Sequence, residues 1–129
     1  MVTLLTSLVR TIFPMTDAIV VLCACPNQEE AASLARRLVE RRLAACVTVS
    51  SAHSFYRWQG AIESAEECLL LIKTLRGQFD LLRREIESVH SYQVPEVLAL
   101  PVVAGSPNYL DWLAASLEAW KGGSEESSE

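Results

Sequence analysis

Cys25 stands directly before Pro26-Asn27, where an unbroken apolar run gives way to a helical pattern. A thiol at a helix N-terminus is biased toward thiolate, the form that ligates soft metal ions. Cys46 opens the next β-rich run, and His90 closes a second helical stripe. Two sulfurs and an imidazole suit a three-coordinate Cu(I) ion, whereas Zn(II) would need a fourth ligand or water. The three residues share no diagnostic ligand spacing, and buried cysteines are common without any metal, so core packing is the competing reading. Packing is the stronger reading for Cys23 and Cys68, which lie inside apolar runs.

A second set of residues could shape a binding surface. Tyr56, Trp58, Tyr92, Tyr109 and Trp112 supply aromatic area, and Arg57, Glu67, Lys73 and Glu96 supply charge. One reading is core or oligomer packing; the sharper one is a cleft at a subunit boundary with these charges as polar contacts. Catalytic signatures are missing: the chain holds no P-loop, GxSxG, HExxH or CxxC, and no nucleophile and base form a recognisable pair, so no enzyme is expected. Sixteen acidic against eleven basic residues give a net charge of −5, the wrong sign for gripping phosphate backbones, and no nucleic-acid partner is expected.

The elements that must position these groups follow from hydrophobic period. In 129 residues there is room for one domain. Residues 18–23 form a β-branched run suited to a strand buried on both faces. Asn27 with Glu30 three residues on makes a capping box, and Ala31, Leu34, Ala35, Leu38 and Val39 continue at helical spacing. Glu29, Arg36, Arg37, Glu40 and Arg41 read as the solvated side. Residues 45–58 and 61–74 form a long hairpin about Gln59-Gly60, and a protruding hairpin in so small a domain needs a covering surface. Leu75, Phe79, Leu82, Ile86 and Val89 form a second helical stripe. Residues 94–103 form a fourth strand that Pro95 and Pro101 either confine to an edge or make irregular. Ser106-Pro107 opens a last helix with Leu110, Leu113, Leu117 and Trp120 on one side.

The order is strand, helix, strand, strand, helix, strand, helix: an α+β, ferredoxin-like split βαβ sandwich with an extra C-terminal helix. The expected division is an extension over residues 1–16, a domain over 17–121 and a disordered acidic tail over 122–129. Leu4, Leu5, Leu8, Val9 and Ile12 share a helical face, but the longest apolar run, residues 18–25, is well short of the ~20 residues that span a bilayer, so no stable membrane insertion is expected. The four cysteines sit in apolar stretches, which suits reduced thiols and a cytoplasmic location.

Together, Cys25-Pro26-Asn27, Leu43-Ala44-Ala45-Cys46-Val47, Tyr56-Arg57-Trp58-Gln59-Gly60, Leu71-Ile72-Lys73-Thr74, His90-Ser91-Tyr92-Gln93-Val94-Pro95-Glu96 and Tyr109-Leu110-Asp111-Trp112 closely resemble, in order and spacing, the CutA divalent-cation tolerance family. The resemblance covers about residues 18–120. It implies a ferredoxin-like homotrimer related in architecture to PII signalling proteins, non-enzymatic, and linked to tolerance of copper and other divalent ions. By residue-wise carry-over it implies Cys25, Cys46 and His90 as metal ligands, with the ion not an obligatory cofactor. The rival reading is a PII-like trimeric scaffold that binds a metabolite or protein partner at intersubunit clefts. Two departures stand out. Ser91 replaces the proline of the family's His-Pro-Tyr and is expected to loosen the backbone beside His90, and Ala61 replaces a lysine after the hairpin turn.

Overall fold

The computed structural model describes residues 15–118. Strand β1 (Ala18–Cys25) is followed by helix α1 (Gln28–Glu40), then by the hairpin strands β2 (Cys46–Trp58) and β3 (Ala61–Leu75). A 3-10 turn (Arg76–Gln78) leads into α2 (Phe79–Val89), β4 (Leu98–Pro101) and α3 (Pro107–Ser116). The sheet order is β2-β3-β1-β4, with every neighbouring pair antiparallel. This is the expected ferredoxin-like arrangement: each helix α1 and α2 connects two parallel strands that leave room for one antiparallel strand between them.

Alternation decides which face each side chain takes. Ile19, Val21, Cys23 and Cys25 stand opposite Thr74, Ile72, Leu70 and Cys68, and all eight are buried on the face that α1 and α2 cover. Ala31, Leu34 and Leu38 of α1 and Leu82 and Ile86 of α2 close this core. Full burial of each large aliphatic is worth about 1.5–3 kcal/mol. Thr74, the buried polar residue of the group, donates its hydroxyl to Leu43 O at 2.7 Å and so pins β3 to the chain entering β2.

The opposite face is covered at one end, where Leu113 of α3 packs on Ala18 and Ala45 with Leu75 and Val102 around them. Val20, Leu22, Leu69 and Leu71 on this face are half-buried, and Leu98 and Leu100 of the edge strand are exposed. β1 pairs with β3 only from Cys68 to Leu75, so residues 52–58 and 61–67 continue past it as a two-stranded ribbon that no third strand flanks among the described residues. Gln59 and Gly60 both take positive φ at its tip (51° and 86°), the requirement of a tight hairpin turn whose twist matches the strands.

Several boundaries differ from the sequence reading. β1 runs on to Cys25, because its last residues still pair with Leu69 and Cys68. Leu75 ends β3 instead of starting the second helix, and α2 begins at Phe79 after the 3-10 turn. The fourth strand shrinks to Leu98–Pro101 at the sheet edge. Pro95 lacks a ladder donor, and residues 90–97 form neither strand nor helix. Ser106 precedes Pro107 as expected, but its side chain makes no capping hydrogen bond. The charged side of α1 is only partly solvated: Arg37 and Arg41 both turn to Glu85 of α2, Arg41 at 3.3 Å, which clamps the two helices together. The predicted N-terminal helical face, Trp120 and the acidic tail lie outside the described residues.

Candidate functional site

The last strand residue of β1 and the helix end after α2 meet at the N-terminus of α1. Cys25 Sγ lies 3.8 Å from His90 Nε2. Cys23, two residues back and therefore on the same face, completes the group: the sulfurs of Cys23 and Cys25 and a ring nitrogen of His90 all lie within 4.8 Å of one another. Both sulfurs are buried and the His90 side chain is fully covered.

The hydrogen bonds around His90 define its tautomer. Its Nδ1 accepts the Tyr92 N–H at 2.9 Å, which leaves the ring proton on Nε2, where it is donated to Ala24 O at 2.8 Å. Glu30 Oε2 stands 3.7 Å from Nδ1. To ligate a metal through Nε2 the proton must leave that atom, and a neighbouring carboxylate on the Nδ1 side is the usual support for the alternative tautomer. Glu30 is the carboxylate nearest Nδ1, and a proton there would turn from the Tyr92 N–H toward it.

Glu30 is itself held. Its backbone N–H caps α1 by donating to Asn27 Oδ1 at 2.8 Å, as the capping pattern requires. Its carboxylate does not return to Asn27; it accepts the Ser91 N–H at 3.0 Å and the Ser91 hydroxyl at 2.7 Å. The expectation that Ser91 loosens the chain beside His90 is therefore corrected. A proline there could offer neither donor, and the serine offers both.

Electrostatics separate the two thiols. The Cys23 thiol, which shares its proton with Cys25 and is buried, is held far above the ordinary range. Cys25 is pushed below it because it accepts that hydrogen bond, against the opposing effect of its own burial. Donors bound to a common ion at about 2.0–2.3 Å stand about 3.5–4 Å apart, so this thiol–thiol–imidazole group fits a soft ion after a small contraction.

Cys46 is not part of this group. It pairs with Lys73, which is the partner of Val20, and so lies on the opposite face of the sheet. Val20 is also roughly 16 Å along β1 from Cys25. Within one protomer Cys46 cannot join Cys25 and His90; Lys73 Nζ is 3.9 Å from its sulfur and donates to Thr48 Oγ1 at 3.2 Å. The signal for Cys23 was available in the sequence, since residues two apart on a strand share a face. The Glu30 contact was not, because Glu30 and Ser91 are 61 positions apart.

The cleft residues divide. Tyr56, Trp58, Glu67, Tyr92 and Glu96 line one cleft of about 570 Å³ under the hairpin. Tyr92 donates its hydroxyl to Glu67 Oε2 at 2.6 Å, and burial, with that hydrogen bond, raises its pKa well above the ordinary phenol value. Arg57 is exposed on the ribbon, and Lys73 stays beside Cys46. Tyr109 and Trp112 are half-exposed on α3, their ring centroids 5.4 Å apart, and line no part of this cleft.

A split βαβ sheet with a buried thiol–imidazole group at its helix-covered end defines a ferredoxin-like protein with a candidate metal centre. Residues 19–116 match the family model described as CutA1 divalent ion tolerance protein, and the chain belongs to this family. It is 47% identical over 95 residues to the divalent-cation tolerance protein CutA of Thermus thermophilus, covering 73% of this chain and 92% of that one. It is also 47% identical over 90 residues to the CutA protein of Mus musculus, covering 69% of this chain and 51% of that one. The structure of CutA from Synechococcus elongatus superimposes with a TM-score of 0.78 at 40% identity, covering 81% of this chain and 94% of that one. The periplasmic divalent cation tolerance protein CutA of Archaeoglobus fulgidus superimposes with a TM-score of 0.77 at 37% identity, covering 78% and 99%. Among the described residues no helix is long and apolar enough to cross a membrane.

Proposed function

We propose that this chain is a non-catalytic, homotrimeric metal-tolerance protein that takes up a copper ion, or another divalent metal ion, through Cys25, Cys23 and His90. The observation that carries this reading is the convergence of two sulfurs and one imidazole nitrogen within 4.8 Å of one another. Copper is preferred because two thiolates and an imidazole complete a three-coordinate Cu(I) site without further ligands. Cytoplasmic residence is part of the proposal, supported by the four free cysteines. The trimer is supported by the bare hairpin ribbon and by the half-open apolar face beside Leu98 and Leu100.

The test is a competition titration of reduced protein against a Cu(I) chelator. Cys25→Ser, Cys23→Ser and His90→Ala each weaken binding by tenfold or more, and Cys46→Ser does not. Because protons compete for the same lone pairs, affinity falls on acidification. Equal affinity in all variants refutes the site. A second reading, a PII-like scaffold, is favoured by one observation, the cleft between Tyr56, Trp58, Glu67 and Tyr92. It is the correct one if the cysteine variants keep their cellular function and a small molecule is found bound in that cleft.

A further inference from the structure

Cys25 and Cys68 are directly opposite each other in the antiparallel pairing of β1 with β3. Both belong to the buried face under α1 and α2, Cys25 fully covered and Cys68 7% exposed. Opposed residues of an antiparallel pair have Cα atoms about 4.5–5.5 Å apart, inside the roughly 4.4–6.8 Å that a disulfide spans. The other combinations are less favourable. Cys23 is opposite Leu70, which makes Cys23 and Cys68 a diagonal pair, and Cys23 and Cys25 are separated by about 6.6 Å of extended strand with side chains standing parallel. Cys46 is on the other face of the sheet.

We propose that Cys25 and Cys68 are a redox pair, closed by a peroxide into a cross-strand disulfide between β1 and β3. Cys68, on β3, is the sulfur that the oxidant reaches, because it is the less completely covered of the two and its thiol is donated to Gln28 Oε1, at the start of α1, at 3.3 Å. Hydrogen peroxide transfers one oxygen to it: the O–O bond breaks, an S–O bond forms, and one water leaves with the thiol proton. The Cys25 sulfur then attacks the sulfenic acid; the S–S bond forms, the S–O bond breaks, and the Cys25 proton departs with the hydroxide as a second water. The sum is two thiols and one peroxide giving one disulfide and two waters. Closure takes Cys25 away from His90 and Cys68 away from Gln28. Resting on the metal reading above, it also removes the central ligand of the metal group, so oxidation and metal uptake exclude each other.

The test is mass spectrometry of the full chain after peroxide treatment and alkylation. The expected product is an intramolecular disulfide joining the tryptic peptide of Cys23 and Cys25 to that of Cys68. It persists in Cys23→Ser and is lost in Cys25→Ser, in Cys68→Ser and in Cys68→Ala, the last of which preserves an apolar, buried side chain. Loss of the linkage in Cys23→Ser, linkage only between chains, or oxidation to sulfinic acid without linkage overturns the pair. In a parallel Cu(I) competition, oxidised wild type binds at least tenfold more weakly than reduced protein, and peroxide-treated Cys68→Ser is unchanged. A disulfide that forms with no effect on Cu(I) affinity refutes the metal reading and leaves the redox pair standing.

Discussion

Ser91 donates both its backbone N–H and its hydroxyl to the Glu30 carboxylate, at 3.0 and 2.7 Å, and thereby ties the chain after α2 to the first turn of α1. His90 is carried on this tie, with its ring between Ala24 O and the Tyr92 N–H. The candidate metal group therefore depends on a contact between two residues outside the proposed ligand set.

Ser91→Ala, which removes the hydroxyl but keeps the N–H, is expected to cost up to about 1 kcal/mol, the low end being favoured because both partners are solvent-accessible. Glu30→Gln is expected to weaken metal binding as well, since a neutral amide supports the Nδ1-protonated tautomer less strongly than a carboxylate. Urea unfolding and the Cu(I) competition separate the two effects. A Glu30→Gln variant with wild-type affinity would show that the carboxylate holds the loop and nothing more.

Leu70 is fully buried opposite Cys23, between the sheet and the helices. Leu70→Ala should destabilise the protein by about 2–5 kcal/mol through lost burial and the cavity left behind. Chemical denaturation checks this, and a loss below about 1 kcal/mol would mean that the helix layer collapses into the space.

Tyr92 ties stability to alkaline pH. Its folded pKa is raised by burial and by the hydroxyl it donates to Glu67, so the unfolded chain loses this proton first. The stabilisation is fully present below the ordinary tyrosine value of about 10 and is lost as pH rises through the raised folded value. Tyr92→Phe should flatten the alkaline fall in stability. Identical pH profiles for variant and wild type would exclude the phenol as its source.

Trp58 is 41% exposed on a ribbon that no third strand flanks among the described residues. The proposed trimer predicts that Trp58→Ala dissociates it at micromolar concentration while the protomer stays folded, as expected of an aromatic anchor. Light scattering with circular dichroism reads both properties. A variant that remains trimeric with unchanged melting would move the contact elsewhere, with the exposed Leu98 and Leu100 the next to change.

Much of the fold was legible because it is local. The helical stripe Ala31-Leu34-Leu38, the cap at Asn27, the Gln59-Gly60 turn and the β-branched run at the start of β1 each express a period or a dihedral preference that neighbouring residues supply. So was the pairing of the fold with its family, since several short blocks recur in register across 19–116. The sequence also made Cys25 and His90 notable by chemical type alone, and the structure places them 3.8 Å apart. Tertiary structure decided what depends on register and on faces. Strand alternation put Cys46 on the far side of the sheet and Cys23 beside Cys25, and antiparallel pairing put Cys68 across from Cys25. The contacts of Glu30 with Ser91 and of Glu67 with Tyr92 join residues far apart in the chain, and no local period encodes them. Hydrophobic pattern fixes which side of an element is buried; only the packed sheet fixes which distant polar groups arrive at the same end of it.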